Sequence, residues 1–213
     1  MTHPEDAGGA ADPLDATIAA YQDGAVTYAE AKGGCPRAQV AAFLDRLADL
    51  AGDGEILEIG SGPGWDADYL ETRGVRVTRT DATPAFVEMI RAAGRNARLL
   101  DVRSDPLGGP YQGVLAIAVL LHLSRAQFQD AVERARHAVV PGGILAITLK
   151  EGDGAAWSNR KLAMPRFFTY WREPQLREVL DRAGWSVISL EHVAGSEPWL
   201  YVLARGADEA TEP

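Results

Sequence analysis

Cysteine is almost absent from this chain of 213 residues. Cys35 is its one cysteine, so the sequence excludes an internal disulfide and any zinc site built from clustered cysteines. We expect Cys35 to pack in the ordinary way near the start of a helix that Pro36 opens. Chemistry based on paired thiols within the chain is therefore excluded.

Long apolar runs are also missing. No stretch approaches about 18 apolar residues, and the first 20 residues contain Asp, Glu and Pro where a signal peptide has a basic and then an apolar segment. The sequence predicts no membrane span and no signal peptide, so we expect a cytoplasmic protein. With 46% hydrophobic residues the chain can bury one full core. Eighteen arginines against three lysines, with abundant alanine, suggest a GC-rich bacterial genome.

An excess of basic charge is missing too. The net charge is −9, whereas a surface that binds nucleic acid must neutralise many phosphates. A net charge does not exclude a local basic groove, and the one candidate cluster for such a groove is Arg160, Lys161 and Arg166. We therefore expect no nucleic-acid partner.

Glycine is concentrated in one segment, Glu58-Ile-Gly60-Ser-Gly62-Pro-Gly64, which follows an apolar run. This pattern predicts a buried strand that opens into a tight turn, where glycine allows positive φ and close approach of a ligand. Asp81 lies 21 residues after Gly60, at the end of a second predicted strand, as suits a carboxylate that binds ribose hydroxyls. A dinucleotide fingerprint needs Gly or Ala where Trp65 stands.

This motif resembles the first motif of class I S-adenosylmethionine-dependent methyltransferases, and the resemblance covers about residues 14 to 205. It implies S-adenosyl-L-methionine as the cofactor. Asp81 would hold the ribose, Asp101 and Val102 would meet the adenine, and Leu120 with Leu121 would line the sulfonium end. The cofactor-binding residues implied are Glu58, Gly60, Ser61, Gly62, Gly64, Asp81, Ala82, Asp101, Val102, Ala118 and Leu120, with Tyr21 and Tyr28 either in a lid or simply packed. Asp101 is alternatively a helix cap or a solvated turn acid.

The periodicity predicts an α/β fold with a doubly wound, Rossmann-like sheet of seven strands, mostly parallel. Helical faces alternate with apolar strands, among them 55–59, 97–101, 113–121 and 144–149. The last two strands, 185–193 and 199–205, are joined by five residues, too few for a helical crossover, so they should pair antiparallel as a C-terminal hairpin. We expect one domain at 14–205 with an N-terminal helical lid, between flexible ends at 1–13 and 206–213.

His122 follows the fourth predicted strand and is the candidate general base, because the pKa of histidine can lie near neutrality. The same histidine is alternatively structural or in contact with the cofactor. Methyl transfer from a sulfonium depends above all on orientation, so a base is not essential to the mechanism.

The segment after the fifth strand carries the candidate acceptor site. Lys150, Arg166, Tyr170 and Trp171 suit an acceptor with an apolar or aromatic body and an anionic group. The alternative is that Phe167, Phe168 and Trp171 dock the last helix while Arg166 pairs with Glu151 on the surface.

Ala118-Val-Leu-Leu-His122 stands where relatives that methylate nucleobase or amide nitrogens have Asn/Asp-Pro-Pro-Tyr/Phe, which counts against those substrates. No His-and-acid cluster of a metal-dependent catechol methyltransferase is present, so we predict no catalytic metal. The prediction is methyl transfer to an O or N nucleophile of a small molecule or peptide, with oxygen favoured, by a monomer or homodimer without a membrane partner. The alternatives are a non-catalytic S-adenosylmethionine-binding regulatory partner and an NAD-dependent oxidoreductase.

Overall fold

The computed structural model describes residues 12–160 and 162–208. The predicted flexible ends lie largely outside the described residues, as does Lys161. The two predicted boundaries shift by one residue each, because α1 begins at Pro13 and β9 continues to Gly206. The helices are α1 (Pro13–Lys32), α2 (Ala38–Ala51), α3 (Trp65–Thr72), α4 (Pro84–Ala92), α5 (Arg125–Ala138) and α6 (Glu173–Arg182). The strands are β1 (Glu55–Ile59), β2 (Arg76–Asp81), β3 (Ala97–Leu99), β4 (Tyr111–Ile117), β5 (Val139–Lys150), β6 (Ala155–Ser158), β7 (Arg166–Thr169), β8 (Trp185–Val193) and β9 (Trp199–Gly206).

The main sheet has seven strands in the order β3-β2-β1-β4-β5-β9-β8. Its first five strands pair in parallel, whereas β9 pairs antiparallel with both β5 and β8. The predicted fold and its C-terminal hairpin are thus confirmed. The order of strands reverses between β1 and β4, and ligands of open α/β sheets bind beyond the carboxyl ends of the strands at such a point.

Helices cover both faces of this sheet because each presents one apolar stripe. Phe43, Leu44 and Leu47 of α2 are buried in the cluster on one face. Phe128 and Val132 of α5 are buried in the cluster on the other. A capping box begins α5: Ser124 Oγ accepts from the Gln127 backbone N–H, and the Gln127 side chain accepts from the Ser124 backbone N–H.

The fourth strand is shorter than predicted. It ends at Ile117, and Ala118 has φ +57°, a left-handed conformation that is uncommon outside glycine. The Ala118 N–H donates to Thr148 Oγ1 at 2.9 Å, which holds this bend. A buried 3₁₀ turn at Leu120–His122 follows. Because the residues of this turn are buried like those of the strand, the apolar pattern predicted a strand that extended too far.

Two further elements differ from expectation. β5 begins at Val139, ahead of Pro141, with a register irregularity opposite Tyr111–Gly113. The segment after β5, for which no strand is predicted above, contains the antiparallel hairpin β6–β7. Cys35 is exposed rather than packed. Within the described residues we find no helix with both the length and the apolar character needed to cross a membrane.

Candidate active site

Gly60 and Gly62 form the turn between β1 and α3 at the carboxyl edge of the sheet. Both have positive φ, +70° and +54°. A Cβ on Gly60 would collide with the side chain of Val119, so packing as well as conformation requires glycine there. A Cβ on Gly62 would find only Tyr28 Cε1, at 4.0 Å. The turn therefore leaves open space beside Gly62.

Asp81 ends β2 and ties this turn to the neighbouring strand. Its Oδ2 accepts from the Gly62 N–H and its Oδ1 from the Thr83 N–H, both at 2.8 Å. The side chain is buried, and burial raises the pKa of Asp81, although these N–H groups act in the opposite direction. A carboxylate held in this way is fixed in position for a ligand.

Asp101 follows β3 and belongs to an ion-pair cluster with the first helix. Its carboxylate accepts from Arg103, with Arg103 Nη2 at 2.6 Å and the Arg103 backbone N–H at 2.9 Å. The Arg103 guanidinium holds the pKa of Asp101 below its usual value. Arg103 also pairs with Asp12 at 2.8 Å and Asp15 at 2.7 Å. This cluster links the start of α1 to the end of β3.

Two cavities open at this edge of the sheet. The inner cavity, of about 90 Å³, extends from Gly62 past Asp81 to Asp101 and Val102. The outer cleft, of about 460 Å³, extends from the same turn to Lys150 and Arg166. The residues that line both are Tyr21, Tyr28, Gly60, Gly62, Ile117, Ala118 and His122.

Tyr21 and Tyr28 of α1 stand at the boundary between the two cavities. Their rings meet edge to face with centroids 5.3 Å apart, and both contact the ring of Phe86. Burial raises the pKa of Tyr28 to about 12, so this phenol is neutral near pH 7. The first helix thus covers the site with aromatic side chains.

His122 is buried in the 3₁₀ turn and both of its ring nitrogens are engaged. Nδ1 lies 2.5 Å from the Phe167 carbonyl oxygen, which only accepts, so we assign the proton of the neutral ring to Nδ1. Nε2 then accepts from Tyr21 Oη at 3.1 Å. Burial, with Arg166 and Lys150 nearby, lowers the pKa of His122 to about 3. The histidine is therefore a weak base in this state.

Lys150 and Arg166 are the buried cations of the outer cleft. Lys150 Nζ lies 3.1 Å from Glu197 Oε1 and 3.7 Å from the centre of the Phe168 ring. Arg166 is 3% exposed, and its Nη1 donates to Tyr21 Oη at 3.1 Å. The alternative of a surface pair between Arg166 and Glu151 is wrong, because Glu151 instead contacts Arg172 and His192.

Several predicted site residues lie away from the inner cavity. Glu58 is buried in β1 behind the turn, where burial raises its pKa and its Oε2 has no hydrogen-bond partner. Gly64 is the N-cap of α3, and Leu120 is buried in the core. Ser61 lines the outer cleft, whereas Gly60, Gly62, Asp81, Ala82, Asp101, Val102 and Ala118 line the inner cavity.

Tyr170 and Trp171 are not brought to the cleft. Tyr170 packs on Gly152. Trp171 is 1% exposed, with its ring 4.5 Å from that of Phe128 in α5 and the Arg125 guanidinium 4.3 Å above it. Trp171 thus belongs to the core beside α5.

The structure adds lining residues that the sequence did not suggest. Ile18, Phe86 and Val119 line the inner cavity. Trp65, Glu197 and Trp199 line the outer cleft. Trp199 lies in the predicted strand 199–205, but nothing in that pattern indicates a cavity wall. Among the described residues no three His, Cys, Asp or Glu side chains are grouped to hold a metal.

A family model described as a methyltransferase domain matches residues 36–190. The chain belongs to this methyltransferase family. The match covers the turn at Gly60–Gly62, Asp81 and the 3₁₀ turn with His122. Comparison with curated proteins gives no match.

Solved structures share the fold at low sequence identity. The 1,6-didemethyltoxoflavin N1-methyltransferase of Burkholderia thailandensis, with S-adenosylhomocysteine bound, is 21% identical over 96% of this chain and 94% of its own, with a TM-score of 0.72. DhpI with S-adenosylhomocysteine is 24% identical over 93% and 99%, with a TM-score of 0.73. The [4+2]-cyclase SpnF is 16% identical over 92% and 96%, with a TM-score of 0.70.

The expectations of the family and of S-adenosylmethionine as its cofactor are therefore confirmed. The site fits this cofactor on two observations. Space is open beside Gly62, where a side chain would intrude. A buried carboxylate, Asp81, stands at the adjoining strand end and lines the inner cavity.

Proposed function

We propose that the protein transfers the methyl group of S-adenosylmethionine to an oxygen or nitrogen nucleophile of a small molecule or peptide. The observation that carries this proposal is the meeting of the two cavities at Gly60, Gly62, Ala118 and His122. A donor in the inner cavity would present its reactive end at this junction. An acceptor in the outer cleft would reach it from the other side.

We assign the donor contacts from the geometry of the inner cavity. Asp81 would bind the ribose hydroxyls, and Asp101 with the Val102 backbone would border the adenine. Ala118 lies at the junction, where its left-handed backbone follows the end of β4. Bound S-adenosylmethionine supplies an electrophilic methyl group, and the chain contributes orientation and exclusion of water.

His122 has a positioning role in this proposal. Its neutral ring holds the Tyr21 hydroxyl through Nε2 and the β7 backbone through Nδ1. Its low pKa opposes a role as general base. The helix α1, which carries Tyr21 and Tyr28 over both cavities, is the proposed lid.

The open outer cleft favours an enzyme over a regulatory partner that binds the cofactor without catalysis. Such a partner has no need of an acceptor space of about 460 Å³. A dinucleotide-binding oxidoreductase is opposed by Trp65, which begins α3 where that fingerprint has Gly or Ala. The similarity to a cyclase shows that the fold alone does not fix the reaction.

Two measurements test the proposal. Isothermal titration with S-adenosylmethionine, S-adenosylhomocysteine and NAD should show binding of the first two and none of NAD. A screen of metabolites and short peptides for a mass gain of one methyl group should then find an acceptor. Binding of NAD alone would contradict the proposal. Cofactor binding without methyl transfer to any compound would favour the regulatory partner.

A further inference from the structure

The charges that line the outer cleft oppose the charge of the whole chain. The chain has a net charge of −9, yet four of the charged residues that line the cleft are basic and two are acidic. They are Arg37, Lys150, Arg160, Arg166, Asp66 and Glu197. Glu197 lies within 4 Å of both Lys150 and Arg160, so two cations share one acid. A cleft of this composition favours an anionic ligand.

Arg166 is the cation of this cleft whose charge is least compensated. It is the most buried of the four cations, and its Nε has no hydrogen-bond partner. Within residues 12–160 and 162–208, no ion pair includes its guanidinium. Its hydrogen bond at Nη1 is with a neutral phenol, Tyr21. A cation removed from water costs several kcal/mol unless an opposite charge compensates for it.

Aromatic rings offset only part of this cost. The Arg166 Cζ lies 5.2 Å from the centre of the Tyr21 ring and 5.4 Å from that of Phe168. Such contacts are weaker than pairing with an opposite charge. Lys150 Nζ also lies against Phe168, so both cations border the same ring. Two cations beside one aromatic surface suit the binding of a planar or tetrahedral oxyanion.

We propose that the methyl acceptor carries an oxyanion, a carboxylate or a phosphate-type group, which Arg166 binds with Lys150 beside it. The apolar body of the acceptor lies against the aromatic walls of the cleft, which include Trp65 and Trp199. This inference rests on the proposed function, because it names the class of substrate for the same site.

The test uses the full chain saturated with S-adenosylhomocysteine and four probes of similar size. Isothermal titration compares benzoate and phenyl phosphate with neutral benzamide and cationic benzylamine. At least one oxyanion should bind tenfold or more tightly than benzamide, and benzylamine should bind least. The relative affinity of benzoate and phenyl phosphate distinguishes a carboxylate from a phosphate-type group.

Variants identify the residue that creates this preference. Arg166→Met should abolish the preference for oxyanions, and Arg166→Lys should keep part of it, because lysine retains the charge but not the two-pronged geometry. Arg177→Met is the matched control, since Arg177 pairs with Glu173 on the surface of α6, and it should behave as wild type. If Arg166→Met melts early, Lys150→Met provides the second variant and should weaken the preference.

Equal affinity of wild type for oxyanions and benzamide would overturn the proposal, as would an unchanged preference in Arg166→Met. The two levels of inference fail separately. If S-adenosylhomocysteine itself does not bind, the proposed function is contradicted. If it binds and no oxyanion is preferred, the cofactor site stands and the anionic acceptor is rejected.

Discussion

At the scale of single residues, Gly62 leaves open space beside the turn after β1 because it has no side chain. Gly62→Val should abolish cofactor binding while the chain stays folded. Gly62 lines both cavities, so the valine side chain would enter the space that the ligand needs. Gly74→Val is the matched control. Gly74 also has positive φ and open surroundings, so it incurs a similar backbone strain away from the site. Titration calorimetry and thermal melts check this prediction. Retained affinity for the cofactor in Gly62→Val would show that the turn does not bind the cofactor.

His122 leads to a prediction about pH. Its pKa is lowered to about 3 in the fold from an ordinary 6.5, so the unfolded chain binds the proton between these values. Stability from the neutral ring is complete above about pH 6.5 and is lost as the pH falls toward 3. His122→Gln should therefore destabilise less at pH 5 than at pH 7, by up to about 1.4 kcal/mol per pH unit.

Urea unfolding at several pH values measures this difference. The control is His137→Gln, which removes an exposed histidine from α5. A destabilisation by His122→Gln that does not change with pH would mean that the ring is not held neutral.

At the scale of elements, Arg103 fastens the first helix to the sheet. Its pairs with Asp12 and Asp15 at the start of α1 and with Asp101 after β3 bring distant segments together. Arg103→Met should lower the free energy of unfolding by about 1.5–3 kcal/mol, the range for hydrogen bonds to charged groups. It should also speed amide exchange in α1 and weaken cofactor binding, because α1 covers the inner cavity.

Hydrogen exchange by mass spectrometry resolves the effect on α1. Arg91→Met is the control, since Arg91 is exposed and donates to the Ala97 carbonyl without reaching α1. Equal exchange of α1 in Arg103→Met and wild type would show that α1 is held by its apolar contacts alone.

The elements also show where the sequence is informative. The turn after β1 was predictable because glycine spacing reports a backbone requirement directly. The end of β4 was not, because Leu120 and Leu121 are apolar in a buried turn as they would be in a buried strand. For Trp171 the sequence left open an acceptor site or packing against the last helix, because composition does not distinguish an aromatic residue in the core from one in a cleft. The hairpin β6–β7 is short, and β6 is largely exposed, so alternation gave little signal.

For Arg166, the residue type was predictable from sequence but its surroundings were not. The sequence left open a surface ion pair, and only the pairing of β7 with β6 and the approach of α1 remove that side chain from water. Such long-range contacts depend on topology, which local patterns do not encode.

At the scale of the whole molecule, cofactor binding should stabilise the fold by mass action. At a ligand concentration of 100 times Kd the gain is about 2.7 kcal/mol, which for a chain of this size raises Tm by roughly 5–10 °C. S-adenosylhomocysteine should produce this shift in differential scanning calorimetry, and NAD should not. The Gly62→Val variant should show no shift with either ligand. A shift with NAD of similar size would contradict the cofactor assignment.

The hydrogen-bonded series from Arg166 through Tyr21 to His122 joins the walls of the two cavities. On the proposed function, an anion that engages Arg166 would change what Tyr21 accepts, and Tyr21 lines the inner cavity that would hold the donor. We therefore predict that occupancy of one cavity alters the free energy of occupying the other, and linkage requires the two effects to be equal. The factor by which a bound donor changes the affinity for the acceptor therefore equals the factor by which a bound acceptor changes the affinity for the donor. Replacing Tyr21 with Phe would uncouple the two sites.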